Sequence, residues 1–326
     1  MSRLMARPTW GPLRRHAIVL AALALMLLAP STAAAARSEF FGIVQGPSLD
    51  SRDLTGMAGS PDPTGMVGAR IRASRFLLNW EWVQPVAGPP RWGATDRLIG
   101  QLAFRGIRVL PSVWGNPDWV FGGEARPPLE RSQDIQAWQN FLKALVARYG
   151  QGGSYWATAY RQQYGASATP LPIQAWQIWN EPNLKKFYLP YPAPKHYARL
   201  VKISHGAIRS EDPQARIVLA GMPGYGDVKA WDFLNEFYSV AGIKNYFDAA
   251  ALHPYAADVA HVRLEIQKVR EVMVNRADRA TPLWLTELAW GSDPPDQFGI
   301  NKGLAGQQQM LRDSYKMILQ NRTAWN

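Results

Sequence analysis

Cysteine is absent from the 326 residues, which removes disulfides, thiol nucleophiles and every cysteine-ligated metal centre. Histidine is scarce as well. His16, His196, His205, His253 and His261 form no HExxH-type pair, so neither a metal nor another cofactor is implied. Charged side chains make up only 19% and apolar ones 47%, a balance that excludes both a disordered chain and a polytopic membrane protein. No GxGxxG follows a strand pattern, because Gly221-Met222-Pro223-Gly224-Tyr225-Gly226 has the wrong spacing for a dinucleotide fingerprint. Long Lys/Arg runs are missing too, so a nucleic-acid partner is not expected.

The basic surplus that does exist is concentrated at the start. Arg3, Arg7, Arg14 and Arg15 precede an apolar run from Ile18 to Ala29, followed by small residues up to Ala36. A positive start, a short apolar stretch and a small-residue cleavage site describe a secretory signal peptide over residues 1–36. The run is short for a membrane span, which needs roughly 20 residues. Cleavage near Ala36 leaves a secreted protein without stable membrane insertion; an uncleaved anchor is the alternative. Removing these residues lowers the formal net charge from +11 to +7. The oligomeric state is not legible.

Residues 37–326 repeat a strand–helix unit. Phe40–Gln45, Ile71–Asn79, Ile107–Trp114, Ile173–Trp179, Arg216–Ala220, Phe247–Leu252 and Pro282–Leu288 read as strands. Several are nearly continuous apolar runs, as expected of parallel strands buried on both faces. Between them, Ile135, Trp138, Leu142, Leu145 and Tyr149 recur at helical spacing, as do Val262, Ile266, Val269 and Met273. Alternation of this kind predicts a parallel sheet with helices outside it.

The strand ends near Gly46, Trp80, Trp114, Glu181, Gly221, His253 and Glu287 lie 34, 34, 67, 40, 32 and 34 residues apart. A period in the thirties is one βα unit. The long interval contains Gly150–Thr169, rich in Gly, Ser and Tyr, which is expected to form a surface loop. Seven units are visible, and Gln307–Gln320 still reads as helix where an eighth strand would be approaching. The expected fold is therefore α/β, a (β/α)8 TIM barrel lacking its eighth strand in this sequence, in one domain over 37–326 that is C-terminally incomplete. A naturally complete open sheet of seven strands is the alternative.

In such barrels the reactive groups sit at the C-terminal ends of the strands. That rule selects two acids. Glu181 follows Ile178-Trp179-Asn180, and Glu287 follows Trp284-Leu285-Thr286. Each ends an apolar strand beside aromatic residues, where a charge needs a partner or a use. On the fourth and seventh strands their side chains can converge across the barrel mouth, an arrangement suited to glycosidic bond cleavage by one protonated and one ionised carboxyl. Burial in ion pairs with interior arginines is the alternative. Trp114 and Trp290, at or just beyond strand ends, are candidates for stacking on sugar rings.

Trp179-Asn180-Glu181-Pro182-Asn183, with Leu285-Thr286-Glu287 about a hundred residues later, resembles the clan A glycoside hydrolases, families 5 and 39 in particular. The resemblance implies that Glu181 is the acid/base and Glu287 the nucleophile of a retaining enzyme acting on a β-linked poly- or oligosaccharide, without a cofactor or metal. It implies that Asn180 binds the sugar 2-hydroxyl, that Arg75 keeps the nucleophile ionised, and that His253 and Tyr255 in His253-Pro254-Tyr255 support it. The clan commonly places a tryptophan on the eighth strand, and no such strand is visible here. A catalytically inactive carbohydrate-binding protein on a degenerate barrel is the rival expectation.

Overall fold

Seven apolar runs become strands in the computed structural model, which describes residues 40–45, 63–68, 70–297 and 299–325. They are β1 (Ile43–Gln45), β2 (Ala73–Asn79), β3 (Arg108–Trp114), β4 (Ala175–Ile178), β5 (Arg216–Pro223), β6 (Ala249–His253) and β7 (Leu283–Leu285). Each pairs in parallel with the next, in chain order. The sheet curls into a TIM-barrel-like (β/α) fold missing a strand; none follows β7 among the described residues. The leader expected over 1–36 lies outside those residues.

Ten α-helices are described: α1 (Pro63–Gly68), α2 (Trp80–Val83), α3 (Gly93–Phe104), α4 (Ser132–Tyr149), α5 (Ser154–Ala157), α6 (Ala159–Tyr164), α7 (Pro194–Glu211), α8 (Ala230–Phe237), α9 (Val259–Asn275) and α10 (Gly303–Trp325). The helical periodicity of α4 buries Trp138, Phe141, Leu142, Leu145 and Tyr149. Pro194 opens α7, where its missing N–H costs nothing. Asp258 caps α9 by accepting from the His261 amide at 2.9 Å. None of these helices is long and apolar enough to cross a membrane.

Between sheet and helices lies an aromatic core. Trp80 packs on Trp138 and Phe141, and Trp138 on Trp179. Trp138 Nε1 donates to Ser204 Oγ at 2.9 Å, tying α4 to α7 without leaving the indole N–H unpaired. Phe41, just before β1, stacks on Tyr315 of α10 with ring centroids 4.5 Å apart.

Residues 150–169 differ from the surface loop expected there. They form α5 and α6, and Tyr155, Trp156 and Tyr160 are fully or nearly fully buried. The cause is aromatic burial with satisfied polar tips: Tyr155 Oη donates to the Asp96 carbonyl and Trp156 Nε1 to the Tyr149 carbonyl. Gly and Ser content marks the turns between these helices and hides the helices themselves.

Strand ends are leveled by one side chain. Tyr197 of α7 donates to the Ile178 carbonyl at 2.8 Å and accepts from the Ala220 amide at 2.7 Å, joining β4 to β5 next to Glu181. Tyr197→Phe leaves both backbone groups unpaired in a fully buried place. The expected loss is about 1–3 kcal/mol of stability, read as a lower urea midpoint at unchanged slope.

Candidate active site

β2, β4, β6 and β7 each send polar groups to one end of the sheet. At its centre is Arg75 on β2, only 4% exposed. Its Nε donates to Gln177 Oε1 at 2.6 Å, Nη1 to Glu287 Oε1 at 2.6 Å and Nη2 to Asn180 Oδ1 at 2.9 Å. Burial draws the Arg75 pKa down, while the Glu287 carboxylate acts in the opposite sense. Tyr255 donates to the other oxygen of Glu287 at 2.5 Å. Burial first, and then the charge of Glu287, raises the Tyr255 phenol. Glu287 thus accepts from a guanidinium on one side and a phenol on the other, partners suited to an ionised carboxylate.

Glu181 faces it. Its backbone turns sharply after β4, with positive φ at Trp179 (72°) and at Glu181 itself (40°). Left-handed backbone costs a non-glycine residue of order 1–3 kcal/mol. Four contacts hold it. The Trp179 amide donates to Val113, its indole donates to Phe187, Ser112 Oγ donates to the Trp179 carbonyl, and the Glu181 amide donates to Gly221. Gly221 is required by close approach, since a Cβ there would collide with the His253 ring and the Thr286 hydroxyl. Burial, and after it the like charge of Glu287, pushes the Glu181 carboxyl up to about 8.

Glu181, His253 and Glu287 each offer an atom to the others within 4.8 Å. His253, fully buried, meets Glu181 Oε1 through Nδ1 at 2.8 Å and Thr286 Oγ1 through Nε2 at 3.0 Å. Burial, with Arg75 adding to it, holds the His253 pKa well below its usual value, so the ring is neutral at pH 7. Such a trio could in principle ligate a cation. Here both ring nitrogens are engaged and Arg75 already sets positive charge against Glu287.

The structure therefore brings together Glu181, Glu287, Asn180, Arg75, His253 and Tyr255 from the sequence candidates. Trp114 and Trp290 are packed instead, 4% and 2% exposed. Trp114 lies edge-on to Trp179 and Phe187, and Trp290 Nε1 donates to the Ala256 carbonyl.

Other residues at the site were not singled out in the sequence. Gln177 and Thr286 complete the network: Gln177 Nε2 donates to the Leu219 carbonyl at 3.0 Å and to Thr286 Oγ1 at 3.2 Å. A polar side chain inside an apolar strand was the available signal. Tyr225, 46% exposed, sits 6.5 Å from the Tyr255 ring. Burial, then the charges of Glu181, Glu287 and Glu265, push its phenol up to about 12. The loop that carries Tyr225 is held at both ends by Asn183 Nδ2, which donates to the Pro223 and Val228 carbonyls.

A family model described as the glycosyl hydrolase catalytic core matches residues 150–323, just over half of the chain. The chain belongs to that family. Its fold is shared with solved β-xylosidases and xylanases. A family 39 β-xylosidase from Caulobacter crescentus superposes at a TM-score of 0.55 with 19% identity, over 79% of this chain and 56% of that one. A family 39 glycoside hydrolase from Bacteroides cellulosilyticus WH2 gives 0.57 and 17%, over 85% and 53%. A xylanase from Paenibacillus barcinonensis gives 0.57 and 15%, over 87% and 81%. The glycosyl hydrolase core described here thus spans little more than half the length of the first two.

The shifted carboxyl has a sign that can be checked. Glu181 is raised from an ordinary 4.5 to about 8, so the folded protein holds its proton more tightly than the unfolded chain does. Its contribution to stability is complete below pH 4.5 and is lost as pH rises through 8. A carboxyl titration followed by 13C NMR should show one midpoint near 8. Glu287→Gln, by removing the like charge, should move that midpoint down.

Proposed function

We propose that the protein is a retaining glycoside hydrolase that cleaves β-linked poly- or oligosaccharides by double displacement, with Glu181 as acid/base and Glu287 as nucleophile. The observation that carries this reading is that an oxygen of one carboxylate lies within 4.8 Å of an oxygen of the other. Retaining enzymes hold their carboxyl groups about 5–5.5 Å apart, whereas inverting ones leave a wider gap for water. The environments of the two acids differ in the sense the chemistry needs. Glu181 is the carboxyl raised by burial, able to hold a proton at neutral pH and pass it to the leaving oxygen. Glu287 receives Arg75 and Tyr255 and supplies the electron pair for the anomeric carbon.

In the first step the Glu181 proton moves to the departing oxygen as the Glu287–carbon bond forms. In the second, Glu181 removes a proton from water, whose oxygen displaces Glu287 with a second inversion. Asn180, held by Arg75 through its Oδ1, keeps its Nδ2 hydrogens for the sugar 2-hydroxyl. Tyr225 lines the entrance as an aromatic face for a sugar ring. Similar structures include β-xylosidases and xylanases, so xylo-oligosaccharides are the first substrates to test. The proposal also includes a signal peptide over 1–36, a secreted mature form and one catalytic domain over 37–326. Mass spectrometry of the protein from its native host, showing a start near Arg37, checks the leader.

Expected outcomes follow from the roles. Proton NMR of the released sugar shows the β-anomer first. kcat/KM holds through neutral pH and declines above about 8, where Glu181 ionises in the free enzyme. Glu181→Gln still forms the glycosyl-enzyme from dinitrophenyl glycosides, because that leaving group needs no proton, while Glu287→Gln turns over nothing. Binding of oligosaccharide without turnover by the unmodified protein would instead favour a carbohydrate-binding role.

A further inference from the structure

Hydrogen bonds have a direction, and in this site the direction can be followed from one end. Arg75 can only donate. Its Nε on Gln177 Oε1 fixes which way the Gln177 amide points, so the Gln177 NH2 must face the Leu219 carbonyl and Thr286 Oγ1. Thr286 Oγ1 is then an acceptor from Gln177, and its own proton needs somewhere to go. The hydrogen bonds of the described residues give that proton one acceptor, His253 Nε2 at 3.0 Å. A neutral imidazole that accepts at Nε2 carries its proton on Nδ1, and Nδ1 lies 2.8 Å from Glu181 Oε1.

We propose that Thr286 is a positioning residue: by donating to His253 Nε2 it holds the imidazole in the Nδ1–H form, so that Glu181 Oε1 accepts and the carboxyl proton stays on Oε2. The opposite tautomer would have two consequences. Nε2–H and Gln177 would both donate to Thr286, leaving a buried hydroxyl proton without an acceptor. Bare Nδ1 would then draw the Glu181 proton to itself, and the group that should protonate the leaving oxygen would spend its proton on a neighbour. Thr286 therefore decides, through His253, which oxygen of Glu181 is available. This inference rests on Glu181 acting as the acid, as proposed above. Its first test does not depend on activity.

In the full 15N-labelled chain, long-range 15N–1H correlation reads which ring nitrogen carries the proton, and His253→Gln identifies the signal. The expected result is a protonated Nδ1 and a bare Nε2. Thr286→Val keeps the shape and removes the donor, so the ring should shift towards Nε2–H. Its loss of kcat should grow with the basicity of the leaving group, reaching about a hundredfold for alkyl β-glycosides and remaining far smaller for dinitrophenyl glycosides. Thr286→Ser should restore both the tautomer and the leaving-group dependence. An Nε2–H ring in the unmodified protein, or an equal loss in Thr286→Val for all leaving groups, overturns the proposal. If the unmodified protein hydrolyses no glycoside, the hydrolase reading falls, and the NMR result still decides the tautomer.

Discussion

A guanidinium taken out of water must find an acceptor for each face it presents, or the fold that buries it is lost. Arg75 meets that demand with three acceptors, on β4, on the turn after it, and immediately beyond β7. Each bond constrains a different element. The link to Gln177 sets an amide inside the sheet, the link to Asn180 holds the turn that carries Glu181, and the link to Glu287 supplies the counter-charge. Both carboxylates are thus indexed to one cation. Their separation is set by hydrogen bonds that reach from β2 to β4 and to the residues just beyond β7.

The same burial divides the two acids chemically. Glu181 ends its strand in an apolar turn beside Trp179, with neutral His253 as its hydrogen-bond partner, so burial dominates its proton affinity. Glu287 is flanked by donors on both sides. Two carboxyls within a few ångströms of each other thus sit in unlike surroundings. The strained backbone at residues 179 and 181 belongs to this arrangement, since a relaxed turn would aim Glu181 elsewhere. Strain of that kind persists only where the surroundings over-determine it, as Ser112, Val113, Phe187 and Gly221 do here.

Much of this was legible in the sequence because it depends on period and on position along a strand. The βα repeat placed seven strands, and the rule that chemistry sits at strand ends picked Glu181 and Glu287 from 25 acids. Arg75, Asn180, His253 and Tyr255 came with the resemblance, and the structure brings all of them to the same cluster. What escaped has physical reasons. Gln177 and Thr286 are ordinary polar residues whose importance lies in partners on other strands, which no local pattern records. Tyr225 is on a loop, where periodicity is silent. The helices within 150–169 were masked by turn-forming glycines, and Trp114 and Trp290 are covered by neighbours that sequence position does not reveal.

Asn183 has a wider consequence. Placed two residues beyond Glu181, its amide clamps the Pro223 and Val228 carbonyls, so the intervening tetrapeptide is anchored at its base from within the fold. Within it Gly224 and Gly226 are fixed by close approach, since a Cβ would meet the Glu265 carboxylate at the first and Leu184 at the second. Tyr225 is thus the aromatic position of a stretch whose course is set by its own glycines and by the turn that presents Glu181.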